Sequence, residues 1–472
     1  MAREHAENLC AQVSPRMAVP TLVRLLNHCY YGPSKRRLVW IGPAVKTTLA
    51  FVAGNEYQTG DGRHRRQLSD SRGELKRALL AVALLEQLQA ASDQVELLAT
   101  PDDFVRLGSA GIVDQSPRME AVARQTRAAL ERRGALHRTL RDSTNAIWRH
   151  PGRSLQALDN VLLGASPREQ APFDSTFFAQ IPDGVSRQFW GGIRARLKVA
   201  MSALDSNAMF ALRGGPLEHG EMEISIFDFD DLKNVVGDDD SLATLLWTPR
   251  WYAARVKEHP SSMIVERPIV AIDAPSWLSA TSFLAMGDSL NWFVEASVMS
   301  YRGAGGVPLP QKVFDQNISK PFERTVVDAF RKSGYQAGRV TPKATWQSQK
   351  GDVHLVHPDG APLPGEVDCL AVDAIHRTAV VAECKVLNFP DSVNRMRNLL
   401  LKLRQEDAEA FFSKLRRKIA WLTQIATFTS YRFLGVIVLD RIMPGTIENA
   451  QVRTLDFGTL QVLLDEEALA PS

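Results

Sequence analysis

Two apolar stretches flanking a short polar turn most constrain how the C-terminal third of this chain can fold. The stretches are VDCLAVDA at residues 367–374 and TAVVAECKVL at residues 378–387, and the turn between them reads Ile-His-Arg. Short valine-rich runs bounded by a polar turn indicate two strands joined as a β-hairpin. The sequence therefore predicts a largely buried hairpin within the final domain.

Three charged side chains lie in this hairpin: Asp368, Glu383 and Lys385. Residues two apart on a strand share a face, so Glu383 and Lys385 point the same way and Cys384 points to the opposite side. Asp368 lies near the start of the first strand, opposite the end of the second, where pairing brings it close to Glu383. Glu366 has the same parity as Asp368 and is kept as a reserve candidate.

A helix is predicted before the hairpin. Residues 319–321, Ser-Lys-Pro, supply a capping hydroxyl followed by proline in the first turn, and Gly334 closes the helix. Glu323 lies beside the apolar stripe of this helix, so its carboxylate can lean toward the sheet that the helix covers. The prediction is a patch of carboxylates and one ammonium at the end of a sheet.

This combination of side chains suits the hydrolysis of a phosphodiester, which is a poor electrophile surrounded by negative charge. Carboxylates hold a hard cation such as Mg²⁺, which neutralises the phosphate and lowers the pKa of a bound water. A nearby lysine orients the water or offsets charge in the transition state, and in apolar surroundings it keeps the carboxylates ionised.

The order of these features resembles the PD-(D/E)XK, or restriction-endonuclease-like, nuclease superfamily over roughly residues 320–464. The resemblance implies an αβββαβ core, with a mixed sheet flanked by helices, and is nearest to the Mrr-like and defence-nuclease branches. It implies four metal ligands: Asp368, Glu383, the backbone carbonyl of Cys384, and Glu323. Lys385 would be the catalytic lysine, and Glu323 would complete the site or serve a second metal.

The activity implied is that of a metal-dependent nuclease, a DNA endonuclease of prokaryotic restriction or anti-phage defence. Mg²⁺ is the expected cofactor, with Mn²⁺ able to substitute, and double-stranded DNA is the expected partner. A homodimer and a partner subunit of a defence system are both left open.

A long helical region, residues 391–432, follows the hairpin and carries a run of basic residues. They are Arg395, Arg397, Lys402, Arg404, Lys414, Arg416, Arg417 and Lys418. Such a run forms either a solvated helix face or, beside a nuclease site, a surface that contacts phosphates. Gln424 resembles the helix glutamine of exonuclease-type members, whose pattern is Gln-x-x-x-Tyr, but residue 428 is phenylalanine.

Parts of the sequence are also compatible with two other functions. Residues 287–290 spell Gly-Asp-Ser-Leu, the signature of a serine esterase family, and Asp373 and His376 supply its Asp-x-x-His element. Residues 276–301 predict helices around a break near Gly287. The serine therefore falls in a helical stretch in the middle of the chain rather than after an N-terminal strand, which disfavours an esterase. The second rival is a catalytically silent nuclease fold that binds nucleic acid or a partner.

The length, charge and hydrophobicity of the whole chain limit its domain number, its partners and its location. A length of 472 residues predicts about three domains: a mainly helical region at 1–170, a mixed α/β region at 171–301, a Gly- and Pro-rich linker at 302–312 and the nuclease domain at 313–472. The 56 basic and 53 acidic residues nearly balance, so a nucleic-acid surface must be local. The polar N-terminus and the lack of a long apolar run predict a cytoplasmic protein with no membrane segment.

Overall fold

The protein is mixed α/β, with many helices and mixed sheets. The structure is a computed structural model. It describes residues 2–30, 41–55, 71–98, 105–107, 113–121, 144, 147–148, 150–162, 183–212, 224–237, 239–247, 265–273, 278–298, 310–387, 403, 410–440 and 452–466. Among these residues, no helix is both long and apolar enough to cross a membrane.

Two compact units make up the chain. The first comprises Met1–Ser92, Leu107–Val113 and Leu140–Val313, and the second comprises Asp93–Arg106, Asp114–Thr139 and Phe314–Ser472. The predicted boundaries of the three domains stay predictions. Most of the predicted linker lies outside the described residues, and its last two residues already belong to a helix that begins at Gln311.

The first unit combines helices with a four-stranded sheet. Its helices are α1 (Ala2–Cys10), α2 (Pro15–Tyr30), α3 (Gly42–Asn55), α4 (Arg72–Leu98, which ends within the second unit), α5 (Pro151–Leu162), α6 (Asp183–Leu212), α7 (Phe229–Val236), α8 (Asp239–Leu245) and α9 (Phe283–Val298). The short strands β1 (Val105–Leu107) and β2 (Val113–Gln115), which are divided between the two units, pair with each other. The four-stranded sheet has the order β3-β6-β5-β4, formed by β3 (Ser225–Phe227), β4 (Leu246–Trp247), β5 (Ile269–Asp273) and β6 (Leu278–Thr281).

The predicted helix break near Gly287 is wrong, because α9 runs through this residue without interruption. A β-carbon at position 287 would lie 3.1 Å from the ring of Trp148. Glycine therefore permits close packing of the helix against an aromatic ring at this position, at the cost of some helix propensity.

The second unit contains a seven-stranded mixed sheet with helices on both faces. Its helices are α10 (Gln311–Phe314), which continues as a π-helical turn at Asp315–Ser319, α11 (Lys320–Lys332), α12 (Phe411–Thr423) and α13 (Phe457–Asp465), with a 3₁₀ turn at Ala426–Phe428. Its strands are β7 (Gln336–Val340), β8 (Thr345–Ser348), β9 (Gly351–His354), β10 (Val367–Asp373), β11 (Thr378–Lys385), β12 (Arg432–Leu439) and β13 (Val452–Asp456). Their order in the sheet is β13-β12-β11-β10-β7-β8-β9.

The predicted hairpin is confirmed as β10 and β11, which pair antiparallel with Cys369 opposite Ala382. On its other edge, β11 pairs in parallel with β12, and β12 pairs in parallel with β13. A parallel neighbour requires a crossover, and α12 lies in the connection between β11 and β12. The end of β11 is therefore in the interior of the sheet, with a strand on each side.

Two apolar cores enclose this sheet, one on each face. On one face, Phe322, Val326 and Phe330 of α11 pack with alternate residues of β10 and β11, including Cys369 and Cys384. On the other face, residues of α12 such as Leu415 and Leu422 pack over the intervening strand residues. From Cys369 onward, the alternation of strand side chains divides the hairpin between the two cores.

The helix predicted to extend to residue 432 ends earlier, at Thr423. The chain turns at Ile425, whose backbone is extended, and then forms the 3₁₀ turn. The change of direction buries Ile425 and Phe428 in the core that also contains Trp346. Burial of these side chains outweighs continuation of a helix whose last turn would be exposed.

Candidate active site

Asp368 and Glu383 come together at the end of the β10–β11 hairpin. Their strands pair with Cys369 opposite Ala382, so the next pair toward the hairpin's open end is Asp368 and Glu383. The backbone N–H of Cys384 donates a 2.8 Å hydrogen bond to Oδ2 of Asp368. The pairing of β10 with β7 changes register from Val367 to Leu370. Asp368 lies within this interval and therefore occupies an irregular position in the sheet.

The ammonium of Lys385 lies between the two carboxylates. Its Nζ is 3.0 Å from Oε2 of Glu383 and 3.9 Å from Oδ2 of Asp368, and it lies 5.5 Å from the centre of the Phe411 ring. Burial lowers the pKa of Lys385, but Glu383 and Asp368 together outweigh it, so the pKa lies above its usual range. Lys385 is therefore a fixed positive charge at neutral pH.

Glu323 is buried on α11, as its place beside the apolar stripe predicted. The hydroxyl of Ser319 donates a 3.3 Å hydrogen bond to Oε1 of Glu323, and Nζ of Lys320 lies 3.6 Å from Oε2. Ser319 does not cap the helix as expected, because the preceding π-helical turn already has helical geometry and leads directly into α11. Its hydroxyl contacts the carboxylate instead.

Lys418 of α12 contacts a carboxylate of the site. Its ammonium contacts Oε1 of Glu383, and its side chain is only 9% exposed. The sequence predicted Lys418 to be part of a helix face that is solvated or contacts phosphates, whereas the structure buries it. Leu415 and Trp421, three residues before and after it, are buried as well. This spacing is the signal that could have indicated an inward-facing lysine.

The reserve candidate Glu366 lies at the edge of this cluster. Its carboxylate contacts the guanidinium of Arg339, and Nζ of Lys320 is 3.8 Å from Oε1. Burial raises the pKa of Glu366, but Arg339, Lys320 and Lys418 outweigh it and hold the pKa below its usual range. Glu366 is thus ionised, and its side chain is 37% exposed.

Asp368 has the most perturbed carboxyl group of the cluster. Burial and then the charge of Glu383 raise its pKa to about 7, although Lys385 and the Cys384 N–H act in the opposite direction. Glu323 adds a further raising contribution. A buried carboxyl group whose pKa is raised by a second carboxylate is typical of positions where a protein concentrates negative charge for chemistry.

The other predicted nucleic-acid-binding residues divide into two groups. Arg395, Arg397, Lys402 and Arg404 lie outside the described residues. On α12, Lys414 and Arg416 are partly buried and Arg417 is exposed. Gln424 is exposed immediately after the helix, more than one turn beyond Lys418. Their phosphate contacts stay predictions.

The residues predicted to hold a metal fit a hard divalent cation in their chemistry. Asp368 and Glu383 supply buried carboxylate oxygens, which such ions prefer. Their arrangement is not that of a ready metal centre: among the described residues, no group of three or more His, Cys, Asp and Glu side chains is placed to hold an ion. Two ammonium groups contact Glu383 instead.

The elements of the rival esterase signature have other roles in the structure. Ser289 is fully buried in α9, where its hydroxyl accepts a 3.0 Å hydrogen bond from Nε of Arg196. Asp373 closes the hairpin turn by accepting hydrogen bonds from the backbone N–H groups of Ile375 and His376. A buried hydroxyl held by an arginine is a poor nucleophile, and the carboxylate is committed to the turn.

Comparison with models of known protein families matched none of them, and searches against curated proteins and solved structures returned no match.

Proposed function

We propose that the second unit is a metal-dependent nuclease that hydrolyses phosphodiester bonds, with DNA as its substrate and an endonucleolytic mode of cleavage. One observation carries this proposal: Asp368 and Glu383 are buried side by side with the ammonium of Lys385 within 3.9 Å of both. The order of α11, β7, β10, β11, α12 and β12 supports it, since this is the order that a restriction-endonuclease-like core would have.

Each residue has a definable task in this reaction. Asp368 and Glu383 would hold Mg²⁺ together with the Cys384 carbonyl, and Glu323 would complete the set. The bound ion would neutralise phosphate charge and supply a water of lowered pKa. Lys385 counteracts part of the rise in the pKa of Asp368 and presents a positive charge where charge develops on the phosphate oxygens.

The proposal is tested by incubating the purified chain with supercoiled plasmid, linear duplex, single strands and RNA, in the presence of Mg²⁺, Mn²⁺ or EDTA. We expect the plasmid to be nicked or linearised with either metal and to stay intact in EDTA. Asp368→Ala, Glu383→Ala and Lys385→Ala should each lower the rate by about a hundredfold or more, because each removes a charge that acts in the transition state.

Asp373→Ala is the matched control, since this aspartate lies on the same strand but serves the hairpin turn. Circular dichroism of each variant establishes that it is folded. Nicking at the wild-type rate by the folded Asp368 and Lys385 variants would refute the proposed function.

A second candidate, a silent nucleic-acid-binding module, is favoured by one specific observation. Both carboxylate oxygens of Glu383 already contact ammonium groups, those of Lys385 and Lys418. Metal titration separates the two candidates: a binding module retains DNA equally in EDTA and in Mg²⁺ and never cleaves it.

A further inference from the structure

Lys418 and Lys385 hold Glu383 from two directions. The ammonium of Lys418 contacts Oε1, and that of Lys385 lies 3.0 Å from Oε2. Lys418 reaches this position from the face of α12 that packs on the sheet, so it is surrounded by apolar residues of the core. A lysine is seldom buried without a charged partner, and Glu383 is the partner here.

A metal ion on Glu383 competes directly with this arrangement. A divalent cation and an ammonium group compete for the same lone-pair position on a carboxylate oxygen, and at such short range they repel each other strongly. Lys385 is also held by Asp368 and faces the ring of Phe411. Of the two lysines, Lys418 is therefore the one whose departure exposes an oxygen of Glu383 without dismantling the rest of the cluster.

Glu366 offers Lys418 a second carboxylate. Glu366 follows Gly365 directly, and Gly365 lies against the side chain of Lys418. The side-chain stem passes Gly365, where an added β-carbon would lie 3.7 Å from Cε of Lys418. Gly365 has φ +94°, so glycine is favoured here by the backbone as well. Rotation of the Lys418 side chain would therefore carry its ammonium away from the buried Glu383 and toward the half-exposed Glu366.

We propose that Lys418 is a further positioning residue of the metal site: it occupies the place of the cation on Glu383 when no metal is bound and transfers to Glu366 when the metal binds. This inference rests on the proposed function, because it requires that Glu383 be a metal ligand. It makes the metal-free site charge-compensated, and it makes metal binding a replacement of one cation by another.

The first test measures the exposure of Lys418 in the wild-type chain. Amine-reactive labelling followed by peptide mass spectrometry compares the protein in EDTA with the protein in Mg²⁺ at equal ionic strength. We expect labelling of Lys418 to rise several-fold with Mg²⁺, since the ammonium moves beside a half-exposed carboxylate. Lys332, exposed at the end of α11, is the internal reference and should not change.

The second test measures Mn²⁺ affinity by isothermal titration calorimetry without nucleic acid. An opposite charge within about 4–6 Å changes the proton affinity of a carboxylate by about ten- to a thousandfold. We therefore expect Lys418→Met, which keeps the stem and removes the charge, to bind Mn²⁺ about tenfold more tightly or better than the wild type. Lys414→Met, one turn earlier on the same helix, should leave the affinity unchanged.

The outcomes are distinguishable. If the wild type and Lys418→Met both bind Mn²⁺ with equal affinity, or the variant binds more weakly, Lys418 does not compete with the metal and this inference alone is overturned. Unchanged labelling of Lys418 in Mg²⁺, in a chain that binds Mn²⁺, overturns it as well and does not depend on the folding of any variant. If neither protein binds Mn²⁺, the proposed function fails together with it.

Discussion

Replacement of Asp368 by asparagine should stabilise the metal-free protein at pH 8. Asp368 is 8% exposed at its side chain, and its pKa lies at about 7 instead of 3.8 because of burial and the charge of Glu383. In the unfolded chain the group ionises near its ordinary pKa. Folding at pH 8 therefore transfers an ionised carboxylate into a position that favours the neutral form, and asparagine removes this cost.

The magnitude follows from the pKa difference. A shift of about three units corresponds to at most about 4 kcal/mol, and local relaxation together with the ion pair to Lys385 reduces the expected gain to about 2 kcal/mol. Folding raises the pKa of Asp368. Its contribution to the free energy of unfolding is therefore fully present below the pKa of the unfolded state and is lost as the pH rises through the pKa of the folded state. The advantage of Asp368→Asn should thus grow between about pH 4 and pH 7 and be constant above that.

The assay is hydrogen exchange of the β10 and β11 peptides in EDTA across a urea series, with wild type and variant compared at the same pH so that intrinsic exchange rates cancel. Asp373→Asn is the control on the same strand. Burial raises the pKa of Asp373, but its hydrogen bonds with His376 lower the pKa by more, so the pKa lies below its usual value. The ionised side chain therefore stabilises the fold at pH 8, and Asp373→Asn should be less stable than the wild type. The reasoning would be refuted if Asp368→Asn were less stable than the wild type at pH 8, or if its gain in stability did not change with pH.

Two further predictions concern packing and the rival signature. Gly338→Ala should destabilise the sheet by about 3 kcal/mol or more, because its β-carbon would lie 1.9 Å from the Gln347 carbonyl oxygen; thermal unfolding measures this, and a change in melting temperature below about 2 °C would contradict it. Ser289→Ala should cost about 1–3 kcal/mol, because the buried Arg196 loses an acceptor. It should leave plasmid cleavage unchanged, and loss of an esterase activity on a chromogenic ester would contradict this role.

The elements predicted best are those whose signal lies within one short stretch of sequence. The strands β10 and β11 each carry a continuous apolar run, so both their existence and their pairing across a tight turn were predictable. Parity placed Glu383 and Lys385 together, and the 3.0 Å contact between them agrees with it. The burial of Glu323 followed from helical spacing in the same way.

The wrong predictions concern helix boundaries that depend on packing between segments distant in sequence. Gly287 lies inside a helix rather than at a break, because Trp148 packs against it. The helix that was expected to continue to residue 432 stops at Thr423, because Ile425 and Phe428 turn into a core that β8 and β10 help to form. Trp148 is far from Gly287 in sequence, and β8 and β10 are far from Ile425 and Phe428. Local helix propensity therefore carried no information about these contacts.

The sequence by itself determined that Glu383 and Lys385 share a face of the hairpin, because residues two apart on a strand point the same way. Tertiary structure alone decided what else meets them. Lys418 reaches Glu383 because the parallel pairing of β11 with β12 requires a crossover, and the crossover carries α12 over that face of the sheet. A charge pair between separate elements is set by how those elements pack, and that packing is settled by the whole core.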